Sequence, residues 1–140
     1  LRSATAFTLG VLGGDAAIER LGQLAGDSAE DVRFNAALAQ ARQGRVESYD
    51  TLSEMLALPD VVVGPDAAAD MTAQSRRYKR ALVVVNALRG LALLVDTTHE
   101  PPPKQLLESV EQLTRDPVGD VRTSATAVLE KIKRLSKQPT

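Results

Sequence analysis

Apolar positions in this chain fall at helical spacing. In "GDAAIERLGQLAG", Ile18, Leu21 and Leu24 are three residues apart and share one helical face, with Asp15 placed as an N-cap after Gly13 and Gly14. A partner helix is expected from Asp27, with Glu30 three residues on to complete a capping box. Val32, Ala36 and Ala39 then form a narrow apolar stripe whose small side chains let neighbouring helices approach closely. Near the other end, Asp116 followed by Pro117 offers an N-cap and a proline in the first helical position. The middle of the chain follows a different pattern. Leu82, Val83, Val84 and Val85 are consecutive, and Leu91, Leu93, Leu94 and Val95 follow after Asn86 and Arg89. Four successive positions sweep about 300° of a helix, so no single stripe holds them. Something must therefore cover the side that would otherwise be exposed, either an inserted segment at 59–74 or another polypeptide.

The helices come in repeated pairs. "QLAGDSAEDVRFNAALA" from Gln23 and "QLTRDPVGDVRTSATAV" from Gln112 match at a constant offset of 89 residues. Leu1-Arg2 heads a third copy, and Arg80 heads a looser fourth in which Lys79 holds the leading apolar position. The spacings between Arg2, Arg33, Arg80 and Arg122 are 31, 47 and 42, so the repeat is irregular. The longest spacing holds "PDVVVGPDAAADMTAQS", with Pro59 as a stop and Gly64-Pro65 as a turn. Asp66 is placed to cap a helix running on towards Val95, and the valines at 61–63 are the one place where a strand is conceivable. "THEPPPK" is a stiff connector before the last helix pair. No low-complexity linker divides residues 1–140, which read as one domain. The start, "LRSATAFTLG", reads as entry into the middle of a helix and suggests a piece of a longer protein.

These paired helices, with "LGVLGGDAAIERL" and the D-x-x-x-D-V-R phrase, resemble HEAT repeats, and most closely the bacterial subgroup named after phycobilisome lyases. The resemblance covers residues 1–44 and 103–135 and is poor from 45 to 102. It implies an all-α fold, a right-handed α-α superhelix of about three and a half helical pairs. It also implies a structural ladder in which an Asp after the first helix and an Arg six residues later join neighbouring units. Asp27 with Arg33 and Asp116 with Arg122 fit that pattern; Arg80 breaks it, because Gln74 stands six residues before it. The chemistry is suitable: Asp accepts hydrogen bonds from helix N-terminal N–H groups, and the Arg guanidinium is a planar fork. An Asp–Arg pair could also be catalytic, but recurrence in register with the helices assigns these pairs to structure.

Composition narrows the function classes. Aromatic residues make up 3% with no Trp, so the core must be built from Ala, Leu and Val, a palette that suits helix packing better than a β-sandwich. A net charge of -1 gives no bulk attraction to nucleic acid or anionic membrane. The absence of Cys excludes disulfides and thiolate chemistry. Residues 81–95 are 15 in number and carry Asn86 and Arg89, short of the ~20 apolar residues of a spanning helix, so no membrane span is expected.

Candidate chemistry is sparse. His99, the sole histidine, stands beside Glu100 without the cluster a metal needs and reads as a loop residue. No phosphate loop, nucleophile motif or isolated acid pair is present, so neither a cofactor nor a metal is expected. "SRRYKR" places Arg76, Arg77, Lys79 and Arg80 around Tyr78. With Arg89, residues Arg76, Arg77, Tyr78 and Lys79 form the candidate partner surface. Its plainest reading is a solvated face neutralised by Asp60, Asp66 and Asp70; an acidic protein partner comes next and nucleic acid last. The expected function is a non-catalytic protein–protein interaction or scaffolding module that meets a partner protein, a neighbouring domain or a second copy of itself. The alternatives are a structural spacer and, more remotely, a lyase-type or nucleic-acid-acting protein, for which the stacking aromatics are too few.

Overall fold

The computed structural model describes residues 2–12, 14–61 and 71–137. These residues are all-helical: α1 (Arg2–Leu12), α2 (Asp15–Leu24), α3 (Glu30–Arg42), a 3-10 turn (Val46–Ser48) leading into α4 (Tyr49–Leu56), α5 (Met71–Thr98), α6 (Lys104–Leu113) and α7 (Gly119–Lys137). No strand occurs among the described residues.

The helix starts correct two expectations. Asp15 is the first residue of α2 and not its cap; Gly14 precedes it at φ 92, a backbone conformation that favours glycine. α3 begins at Glu30 and α7 at Gly119, three residues beyond Asp27 and Asp116. The cause is local. Asp27 Oδ1 accepts the Ala29 N–H at 2.9 Å, and Asp116 Oδ2 accepts the Val118 N–H at 3.0 Å. Each carboxylate closes a tight Asx turn two residues on, before the helix starts, instead of capping its first turn. Glu30 then sits in the first turn of α3, where its charge suits the helix dipole.

Packing follows chain order. α1, α3, α5 and α7 touch in succession; α2 packs on α1 and α3, α4 on α3, α5 and α6, and α6 on α7. Two apolar clusters result, with α3 as the wall between them. Val32, Ala36 and Ala39 of α3 meet Ala6, Leu21 and Leu24 on one side. Phe34 and Ala41 join the larger cluster built on α4 to α7. Alanine makes this double burial feasible, since Ala36, Ala37 and Ala41 are fully enclosed without forcing the helices apart. In the larger cluster Leu52, Met55, Leu88, Leu91, Leu94 and Leu106 are essentially inaccessible, each stabilising the fold by roughly 1.5–3 kcal/mol.

α3, α4 and α7 all pack on the long apolar helix and cover part of it. Gly90 marks a close approach of α3 and α4 to α5. A Cβ there would lie 3.3 Å from Leu38 Cδ2 and 3.5 Å from both Ala41 Cβ and Leu52 Cδ2. Residues 71–74, expected in the insertion, form the first turn of α5. Residues 62–70 of that segment, with Asp66, Asp70 and two of the three valines, lie outside the described residues, as does Gly13. At 28 residues α5 is long and apolar enough to cross a membrane by length and composition, and half of that apolar window is buried within the protein.

Candidate functional site

Two sets of side chains stand out: arginines that reach from one helix to another or to the loop before it, and an exposed stripe along α5.

The arginines follow one register. Arg33 Nη1 donates to the Asp27 and Ser28 carbonyls at 3.3 and 3.2 Å, and Arg122 Nη1 donates to the Asp116 and Pro117 carbonyls at 2.8 and 3.0 Å. Each therefore binds the loop entering its own helix, through the backbone of the Asp six residues earlier. The Asp side chain is taken by the preceding pair's arginine: Arg2 Nε lies 3.0 Å from Asp27 Oδ2, and Arg80 grips Asp116 through Nη1–Oδ2 at 2.9 Å and Nη2–Oδ1 at 2.8 Å. Arg80, which the six-residue spacing left out, makes the most buried of these joints. Its Nε also donates to the Leu58 carbonyl at 3.0 Å, 22 residues earlier where the other arginines find theirs six earlier. Leu58 thus occupies the loop position held by Asp27 and Asp116. With no carboxylate there, Arg33 reaches Glu54 at 2.6 Å, one turn further back on α4.

Burial separates these joints. The Arg80 and Asp116 side chains are 8% and 6% exposed, whereas Arg2 is 58% exposed. Burial by itself would raise the Asp116 carboxyl. Hydrogen bonds from Arg80 and the Val118 N–H, with the charges of Arg80 and Arg77, outweigh it and hold the pKa below the ordinary carboxylate value.

The second feature is the side of α5 that α3, α4 and α7 leave open. Tyr78 is 73% exposed, Leu82 48% and Leu93 42%, with Arg89 exposed between them. Spacings of four and three through Tyr78, Leu82, Val85, Arg89 and Leu93 keep them on one helical stripe. A groove runs along each side. The one between α5 and α7, about 860 Å³, has an apolar floor of Ala81, Leu82, Val85 and Val118, with Arg77, Arg89 and Asp120 among its polar lining. The one between α3 and α5, about 340 Å³, is lined by Asn35, Arg42, Asn86 and Arg89 beside Leu38 and Leu93. Arg89 lines both.

Of the surface expected from sequence, Arg77, Tyr78 and Arg89 come together at the larger groove, while Arg76 and Lys79 are exposed but line neither groove. Arg77 is engaged by Asp60, with Nε–Oδ1 and Nη2–Oδ2 both 3.1 Å. Leu82, Leu93 and Asn86 belong to the apolar run that the sequence marked as needing cover but were not placed in the candidate surface, and Asn35, Arg42 and Asp120 were not singled out. The α5 members were detectable from their four-and-three spacing; those on α3 and α7 had no sequence signal.

His99 has a structural duty. It ends α5 at φ 56, donating its N–H to the Val95 carbonyl at 2.9 Å. Among the described residues no three His, Cys, Asp or Glu side chains gather as a metal would need. Burial, with the Glu100 charge adding to it, raises the Tyr49 hydroxyl above its ordinary pKa, away from the range useful for proton transfer near neutrality. Comparison with family models, characterised proteins and solved structures returns no match for this chain.

Proposed function

We propose that this chain is a non-catalytic protein–protein interaction module, built as a HEAT-like right-handed superhelix of about three and a half helical pairs. The observation that carries the functional reading is the α5 stripe, where Tyr78, Leu82 and Leu93 are exposed on one face beside two grooves. Aliphatic side chains left in water along a groove are a cost that a partner removes. The repeat reading is supported by contacts in chain order among α1, α3, α5 and α7, and by arginines that reach the next pair's acid in register. In that reading Asp27, Arg33, Asp116 and Arg122, joined by Arg80, are structural. The partner surface centres on Arg77, Tyr78 and Arg89.

The test is photo-crosslinking in cells of the source organism, with a photoreactive residue replacing Leu82 or Leu93. Glu108 on α6, 59% exposed by side chain, serves as the control position. The same protein should be trapped from 82 and 93 and not from 108. A trapped second copy of this chain would make the surface a self-association site. Equal trapping from all three positions, or none from any, would refute the reading and favour a structural spacer.

A further inference from the structure

The chemistry of the open face narrows the partner. The chain as a whole is slightly acidic at -1, and the larger groove holds Arg77 and Arg89 with one carboxylate, Asp120, in its lining. The smaller groove sets the guanidinium of Arg89 beside the amides of Asn35 and Asn86, with no acid in its lining. Arg77 is already matched by Asp60. Arg89 is exposed, and among the described residues no carboxylate pairs with it. A planar guanidinium flanked by amide donors suits a carboxylate, which accepts the fork in two bonds.

Around this point the surface is aliphatic. Leu82 and Val85 lie on one side of Arg89 along the stripe and Leu93 on the other. From Tyr78 to Leu93 the stripe runs about 22 Å at helical rise, the length of a four-turn helix rather than of one small molecule. Nucleic acid fits poorly, because leucines stand where stacking rings belong and Tyr78 is the only aromatic exposed on the stripe.

We propose that the occupant is an acidic amphipathic helix of another protein. Its apolar side lies on Leu82, Val85 and Leu93, and an Asp or Glu projects into the α3–α5 groove to meet Arg89. This rests on the interaction function proposed above and specifies its ligand.

The experiment selects from a displayed library of helical peptides against the intact chain, then repeats the selection against Arg89→Glu. Peptides enriched on the wild type should carry apolar residues three and four apart with an Asp or Glu among them. They should lose at least about tenfold in affinity on Arg89→Glu, as expected for a close charge pair turned repulsive. The Arg89→Glu selection should turn to Lys and Arg at the same peptide position, a reversal that a merely damaged surface would not produce. Arg89→Glu should keep the wild-type helical circular-dichroism signal, since the side chain is exposed and no carboxylate pairs with it among the described residues. Enrichment of neutral or basic peptides, or indifference to Arg89→Glu, overturns the acidic ligand while leaving the interaction function standing. If no peptide is enriched but position 82 still traps a protein, this inference fails alone. If neither occurs, both fail. A single-stranded oligonucleotide that binds the wild type and is released by Arg89→Glu would replace the peptide with nucleic acid.

Discussion

Replacing Asp116 by Asn keeps the shape of the side chain and removes the charge that Arg80 grips. The remaining guanidinium, 8% exposed, would sit beside a neutral amide without a counter-charge. Breaking one side of a buried pair of this kind costs about 3–5 kcal/mol, which is a large share of the ~5–15 kcal/mol stability of a domain this size. Asp27→Asn is the matched control in the same register. Because Arg2 is 58% exposed there, that change should cost under about 1 kcal/mol. Urea unfolding of both variants at neutral pH checks the ranking. A second arm is acid titration. The Asp116 pKa is held below its ordinary value, so its contribution is complete above the unfolded pKa of about 4 and is lost as pH falls through the lower folded value. Asp116→Asn should lack that part of the acid dependence. Arg80→Met combined with Asp116→Leu should recover only part of the loss, because it removes both buried charges but leaves the Val118 N–H and the Leu58 carbonyl without these side-chain partners. Equal costs for the two Asn variants would refute the argument from burial, as would an undiminished acid slope in Asp116→Asn.

Two positions with positive φ should respond in opposite directions. His99→Gly should raise stability by about 0.5–1 kcal/mol by relieving a left-handed conformation at φ 56, read from thermal unfolding. Gly44→Ala should lower it by roughly 1–3 kcal/mol, because φ is +74 and the added Cβ would meet Thr97 Cγ2 at 2.6 Å. Arg33→Ala and Arg122→Ala should each cost ~1–2 kcal/mol by urea unfolding, the more exposed Arg122 less, with partner binding retained.

Much of the helical core was legible because it depends on local spacing. Leu21, Leu24, Val32, Ala36 and Ala39 are buried, in keeping with their spacing, while Ile18, on the same expected face as the leucines, is only partly buried. The joint at Arg80 was not legible. The usual marker, an acid six residues earlier, is displaced by the insertion, and its partner lies 36 residues downstream. Helix starts were misplaced by three residues since an Asp before a helix caps it or closes a preceding turn with the same atoms, and only backbone geometry decides. For α5, the run Leu82 to Val85 told that several faces are apolar but not which would be left open. That depends on where α3, α4 and α7 dock, and Gly90 was a local hint of a close approach. The grooves bring side chains of different helices around Arg89, a juxtaposition that no single helix encodes.

The most direct measurement is the dissociation constant of the protein trapped at position 82, determined with Leu82→Lys alongside the variant's unfolding free energy. The account predicts affinity weakened at least about tenfold and stability within about 0.5 kcal/mol of wild type, because Leu82 is nearly half exposed and belongs to the proposed partner surface rather than the core. Wild-type affinity in Leu82→Lys, or a loss of stability large enough to explain the loss of binding, would contradict it.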